Sequence, residues 1–343
     1  MPEEESIFHY WQITDNFIEK HKNELNWDLL SRYRILDEEF IDKHSDMVNW
    51  YLISAYQKLN ENFIEKHSDK VSWELISIHQ ELSESFMEKH YNEVYWCWIS
   101  HFQKLSESFI EKYKDKITWE NISYYQTLSE SFIEKYKGQI YWEWVSECQQ
   151  LSEEFIEKYS AKLNWEWISR YQEISEDFIR KHQDKVNWYN ISKYRKLSEP
   201  FIEEYQNELG WEYISIHQTL SEEFIEKYSD KLNWAFISFS QKISEEFIDK
   251  HSDKVIWFYI SINHKLSEKF IEKYSDKLNW ANLSTYQQLS EEFIEKYKDK
   301  VDWEGIFLSQ ELSLEFVEKY KSKINYNYLH SNDKIDKNII FDL

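Results

Sequence analysis

The sequence predicts an all-α fold, an elongated α-solenoid of 14 tandem helix-turn-helix repeats of 23 residues. Three observations predict it. Tryptophan recurs at Trp27, Trp50, Trp73, Trp96, Trp119, Trp142, Trp165, Trp188, Trp211, Trp234, Trp257, Trp280 and Trp303, every interval being 23 residues. Phenylalanine keeps the same step from Phe17 to Phe316, without an insertion or deletion. Glycine occurs three times and proline twice in 343 residues, too seldom for the turns of a sheet-rich or loop-rich chain.

The ladders divide the chain into an N-terminal half-repeat cap (residues 1–12), an array of 14 copies (13–334) and a C-terminal tail or cap (335–343). Tyr326 takes the next tryptophan step, in the last copy. Counting each copy from its leading leucine or isoleucine makes Leu220 position 1 and Trp234 position 15 of copy 10.

Position 2 is Ser in eleven copies and Thr14, Asp37 or Asn60 in the others. Their side-chain oxygens accept from the free N–H groups at a helix start. Acidic residues at position 3 suit the positive end of the helix dipole. A first helix, A, is therefore predicted from position 3. Pro200 at position 4 is tolerated because a first-turn N–H has no helical partner. The apolar positions 5, 6, 9 and 13 share one face. Position 11 is Asp, Asn or Gly in twelve copies, which predicts a left-handed helix end. Asn, Asp, Ser or Thr at position 14 predicts a second N-cap, and helix B runs from the tryptophan at 15 to about position 22. Helices of roughly 8–10 residues are shorter than the ~12–15 that hold together alone. Each unit must then bury its face on the next. A 23-residue period also falls within the leucine-rich-repeat range. That fold needs a strand of alternating leucines, and the apolar spacing here is helical.

The unit LSEEFIEKHSDKVNWYLISKYQK, nearly spelled out by residues 59–81, 174–196 and 243–265, resembles the short tandem repeats of uncharacterised proteins of mimivirus-like giant viruses. The resemblance spans almost the whole chain. It implies a helical repeat array and a viral source, and it brings no catalytic residues.

Asp and Glu number 64 against 41 Lys and Arg, a net charge of −23. Such a field repels phosphate backbones and anionic lipid and favours basic partners, so neither nucleic acid nor membrane is an expected partner. Cys97 and Cys148 make no disulfide framework and fit a reducing compartment. The acidic start MPEEESIFHYWQ is unlike a signal peptide, and no apolar run is long enough to span a bilayer. The expected location is intracellular and cytoplasmic, in the host cytoplasm if the source is viral.

The recurring groups read as architecture. A ligand-reading tryptophan should vary between units. This one does not, so the ladder is expected to be packed wall rather than a stack for bases or sugars. Histidine fills position 9 of the first four copies (His21, His44, His67, His90), which invites a metal reading. Neighbouring helices stack about 8–10 Å apart, whereas zinc ligands lie about 2.0–2.1 Å from their ion. Tyrosine also replaces the histidine in later copies, so no metal is expected, nor any cofactor. A dozen identical serines at position 19 are not one nucleophile with its base. A small residue there lets helices approach. Position 22 is Gln in ten copies; it changes too rarely to spell a base-reading code and is expected to bond backbone or the adjoining unit. Lysine at position 8 is replaced only by Glu204, and the acid at position 7 only by Arg180, which reads as an ion-paired, solvated surface. No catalytic residue emerges, and an enzyme is not expected.

Positions 16 and 20 vary. Position 20 accepts both Phe239 and Arg170, as a surface site does, and position 16 lies on the same helix face. The two columns trace a stripe. Copies 6 and 7 place Glu143, Glu147, Glu166 and Arg170 on it. Copies 10 and 11 place Ala235, Phe239, Phe258 and Ile262 there, with Phe236 and Tyr259 at position 17. An exposed apolar cluster rimmed by charge marks an interaction site. The sequence thus predicts a non-enzymatic scaffold for protein–protein interaction, whose partner carries basic and apolar features. A structural or self-assembling viral component is the alternative, since an apolar patch serves a like subunit equally well. The negative charge disfavours a third reading, a nucleic-acid-binding helical repeat.

Overall fold

The computed structural model describes residues 14–323. The expected cap at 1–12, the second half of copy 14 with Tyr326, and the tail at 335–343 lie outside the described residues. Among the described residues there are 27 α-helices, one short 3₁₀ turn and no strand. The chain divides into two compact units, Met1–Ile174 and Ser175–Leu343, the division falling at the start of copy 8. Each unit is an α-solenoid, a stack of A–B helix pairs.

Copy 10 shows the local logic. Helix A spans Glu222–Lys227, and the Ser221 side chain at its N-cap accepts from the Phe224 N–H. Helix B spans Trp234–Ser240. The helices hold six and seven residues, shorter than the spacing predicts. Helix A stops because position 9 leaves helical geometry, with Tyr228 at φ −111° and ψ 24°. The chain then closes a right-handed turn in which the N–H groups of Lys231 and Leu232 both reach the Tyr228 carbonyl, at 2.9 and 3.1 Å. The left-handed end expected at position 11 is absent: among the described residues no φ is positive. Position 11 is instead the outer tip of the turn, where an added Cβ at Gly138 would meet nothing within 4 Å.

The core lies between the two helix layers. Position 6 (Ile225, for example) and position 18 (Ile237) are fully buried in every described copy. Each such side chain contributes roughly 1.5–3 kcal/mol by leaving water. Phe at 5, Leu at 1 and the aliphatic residue at 13 close the sides.

The tryptophans stand at the joint between copies. Trp234 stacks against Phe247 and His251 of the next copy, with ring centres 6.3 and 5.0 Å apart. Its indole N–H donates to the Ser229 carbonyl at 2.9 Å, which pins the turn of its own copy. Lys254 of the next copy lies over its ring at 5.4 Å. The tryptophans are half-buried rather than sealed, since one edge faces this lysine and the solvent.

Hydrogen bonds also tie the copies together. Gln149 donates to the backbone carbonyls of Ser123 and Gln126 in the preceding copy, at 3.0 and 2.7 Å, and accepts from the Leu128 N–H of its own copy at 2.9 Å. Gln80, Gln103, Gln126 and Gln172 repeat the pattern in unit 1, and Gln241 and Gln310 donate likewise in unit 2. The position-19 serine is more than a small spacer. Ser123 Oγ donates to the Trp119 carbonyl at 2.7 Å and accepts from the Tyr141 N–H of the next copy at 3.0 Å. That acceptor satisfies the backbone at position 14 whether or not its side chain caps helix B. Asn164 and Asn233 do cap, while Ser72, Thr118, Tyr95 and Ile256 do not.

The position-8 lysines pair across copies rather than along their own helix. Lys158 reaches Glu134 of the preceding copy at 2.6 Å, and Lys227 reaches Glu203 at 2.7 Å. The two sequence exceptions meet each other: Arg180 at position 7 of copy 8 bonds Glu204 at position 8 of copy 9, at 2.8 Å. The polarity of this one rung is reversed and the pairing is kept.

Candidate interaction surface

Within each unit, successive B helices run with their Cα atoms within 8 Å along much of their length, and no pair of successive A helices approaches as extensively. The B helices therefore form the tighter layer of each unit. Core side chains occupy positions 18 and 19 of helix B and the cross-copy Gln caps it at 22. Positions 16, 17, 20 and 21 are left to form its outer face.

The structure sorts that face. Position 16 is exposed in every described copy except at Ala235, which is half-buried. Position 20 is less open than its variability suggests. Ile78, Tyr124, Glu147, Arg170, Ile216 and Ile262 are half-buried between neighbouring B helices, and Phe239 is among the few exposed. The stripe is thus a ridge at 16 with a shallower row at 20.

In copies 10 and 11, Phe239 and Phe258 are 49% and 50% exposed. Both meet Tyr259 edge to face, at 5.4 and 5.6 Å between ring centres. Phe236, Tyr259 and Ile262 are half-buried beneath them. Ile256, at position 14, adds an exposed aliphatic side chain to this region and was not among the residues singled out from the sequence. Its signal was an isoleucine standing where most copies carry a polar cap. Copy 11 is irregular in a second way. His264 replaces the position-22 glutamine, is buried, and contacts the Ser238 carbonyl through Nε2 at 2.8 Å. Burial pushes its imidazole below the usual histidine range, although the Ser238 and Ile243 backbone contacts oppose this.

Position 21 was not among the positions singled out from the sequence. Most of the column is exposed, with Tyr56, Phe102, Tyr125, Tyr171, Tyr194 and Tyr286 all open to solvent. Variation to His79, Cys148, Ser240 and Asn263 was the available signal.

The position-9 histidines do not converge. His44 Nε2 faces Glu19 at 3.1 Å and His67 Nε2 faces Asp42 at 3.0 Å, each on its own rung. Among the described residues no group of three or more His, Cys, Asp or Glu is placed to hold a metal ion. Cys97 and Cys148 are both free thiols. Burial, then Glu147, pushes the Cys148 thiol up to about 11. Among the described residues no helix is long and apolar enough to cross a membrane.

Fold and surface together define the class: a tandem helical-repeat protein with a nearly uniform interior and a variable B-helix face. No protein-family model, curated protein or solved structure matches the chain.

Proposed function

We propose that the chain is a non-enzymatic scaffold that holds protein partners on its B-helix face. The observation that carries this reading is the contrast between the two sets of positions. Those buried or bonded across copies scarcely change, while the exposed ones change from copy to copy and include the half-exposed pair Phe239 and Phe258. Leaving two phenylalanines in water forfeits stabilisation that a partner restores on binding. A partner with apolar side chains and basic flanks complements both this patch and the acidic chain around it.

The test is affinity capture with the wild-type chain and with a Phe239→Glu, Phe258→Glu variant whose helical circular dichroism is intact. Proteins retained by the first and lost by the second support the reading. Identical recovery overturns the choice of patch. The same two phenylalanines would also serve a second copy of the chain, as expected for a self-assembling viral component. Concentration-dependent light scattering that the double variant abolishes would favour that reading instead.

A further inference from the structure

The chain itself demonstrates what the position-21 column accepts. Arg32, at position 20, lies over Tyr33 of its own copy and Tyr56 of the next, 5.1 Å from each ring centre. Arg170 lies over Tyr171 at 5.0 Å, and Lys193 over Tyr194 at 5.2 Å and over Tyr189 and Tyr213 at 5.7 Å. A cation rising from position 20 thus settles on the rings around it wherever the sequence provides one.

Copies 4 and 5 keep the position-21 rings, copy 6 has Cys148 there with Trp144 at position 17, and all three lack the cation. Position 20 is His101, Tyr124 and Glu147, and positions 16, 17, 20 and 21 of these copies contain no lysine or arginine. Phe102 and Tyr125 are 48% and 47% exposed. The rings draw together, His101 to Tyr125 at 3.7 Å, Trp98 to Phe102 at 6.0 Å and Tyr124 to Trp144 at 4.9 Å. The surrounding charge is negative, from Glu120 and Glu143 at position 16 and Glu147 at position 20.

We propose that the B-helix face of copies 4 to 6 docks an extended, arginine-bearing protein segment. Each guanidinium takes the place over the rings that Arg32 and Arg170 fill from within the chain. Arginine suits this better than lysine because its planar, weakly hydrated head stacks on aromatic faces while bonding a carboxylate at its edge. Register follows from spacing. Packed helices lie about 8–10 Å apart and an extended chain advances about 3.3 Å per residue, so an arginine at every third residue meets successive copies. This proposal rests on the scaffold reading and names the chemistry of one partner at a second place on the same face.

The test uses the full chain and a fluorescent peptide of repeated Arg-Ser-Ser triplets, followed by anisotropy at about 150 mM salt to screen general attraction to the acidic chain. A Phe102→Ser, Tyr125→Ser variant leaves net charge unchanged and alters exposed side chains. It is expected to bind about ten-fold more weakly. A Glu143→Gln, Glu147→Gln variant is also expected to bind more weakly, and a Phe239→Ser, Phe258→Ser variant to bind as the wild type does. A peptide with citrulline in place of arginine should not bind. Equal binding by wild type and the Phe102, Tyr125 variant overturns the proposal, as does the absence of saturable binding or a loss confined to the copy 10 and 11 variant. Failure here leaves the apolar patch of copies 10 and 11 standing, and failure of that patch leaves this surface standing.

Discussion

Replacing Gln149 by leucine isolates the cross-copy hydrogen bonds from packing. The two side chains are similar in size, so Gln149→Leu opens no large cavity. It removes three hydrogen bonds: two donated to the carbonyls of Ser123 and Gln126 and one accepted from the Leu128 N–H, at distances of 2.7–3.0 Å. Each such bond nets about 0.5–1.5 kcal/mol, and an orphaned buried group costs about 1–3 kcal/mol. Gln149 and Leu128 are both buried, so water cannot replace the lost partners. The expected loss is about 3–5 kcal/mol at the joint between copies 5 and 6. Copies in a solenoid are coupled only to their neighbours, so a weak joint lowers the first unfolding transition and separates it from the rest. Urea titration followed by tryptophan fluorescence reads the shift, and hydrogen exchange at the Leu128 amide locates it. Glu143→Gln, at an exposed position of the same copy, is the control. A change under about 1 kcal/mol, or unchanged exchange at Leu128, would refute the idea that the glutamines fasten one copy to the next.

Two further predictions test irregular rungs. His264→Gln restores the glutamine pattern, so it should raise stability and flatten its dependence on acid. The folded-state pKa of His264 lies below its unfolded value near 6.5, so the neutral ring's contribution is complete above that pH and is lost as the pH falls below it. From pH 8 to about pH 5 the melting temperature should fall less steeply in the variant than in the wild type, and parallel curves would count against this account. At the reversed ion pair, Arg180→Glu and Glu204→Lys each set like charges face to face and should lower the melting temperature. The double variant recreates the lysine-on-carboxylate order of the other copies and should recover. Strictly additive losses would show that the pair is not coupled.

Much of the surface was legible because core and surface differ in how they tolerate change. The sequence reading of Phe239, Phe258 and Glu143 as exposed holds, since their columns mix phenylalanine, alanine and charge. It fails for Ile262 and Tyr124, which sit half-buried between two B helices. A variable position in a repeat is shaped by the next copy as well as by solvent, and one helix's periodicity does not record that neighbour. It is silent on Tyr125 and Phe102, which are exposed although aromatic residues at helical spacing resemble a core column.

By itself the sequence determined the helical class, the 23-residue unit, the N-cap at position 2 and the aliphatic positions 6 and 18 that are buried in every described copy. All of these rest on interactions within a few residues or on the period itself. Only the tertiary structure decided what the unchanging polar residues hold. Ser123 and Gln149 bond backbone in the neighbouring copy, across 18 and 23 to 26 residues of chain. The lysine row likewise pairs 24 residues away rather than along its own helix. The repeat makes every copy look alike, so it announces that a glutamine matters. Which copy's carbonyl that glutamine reaches depends on how the helices stack.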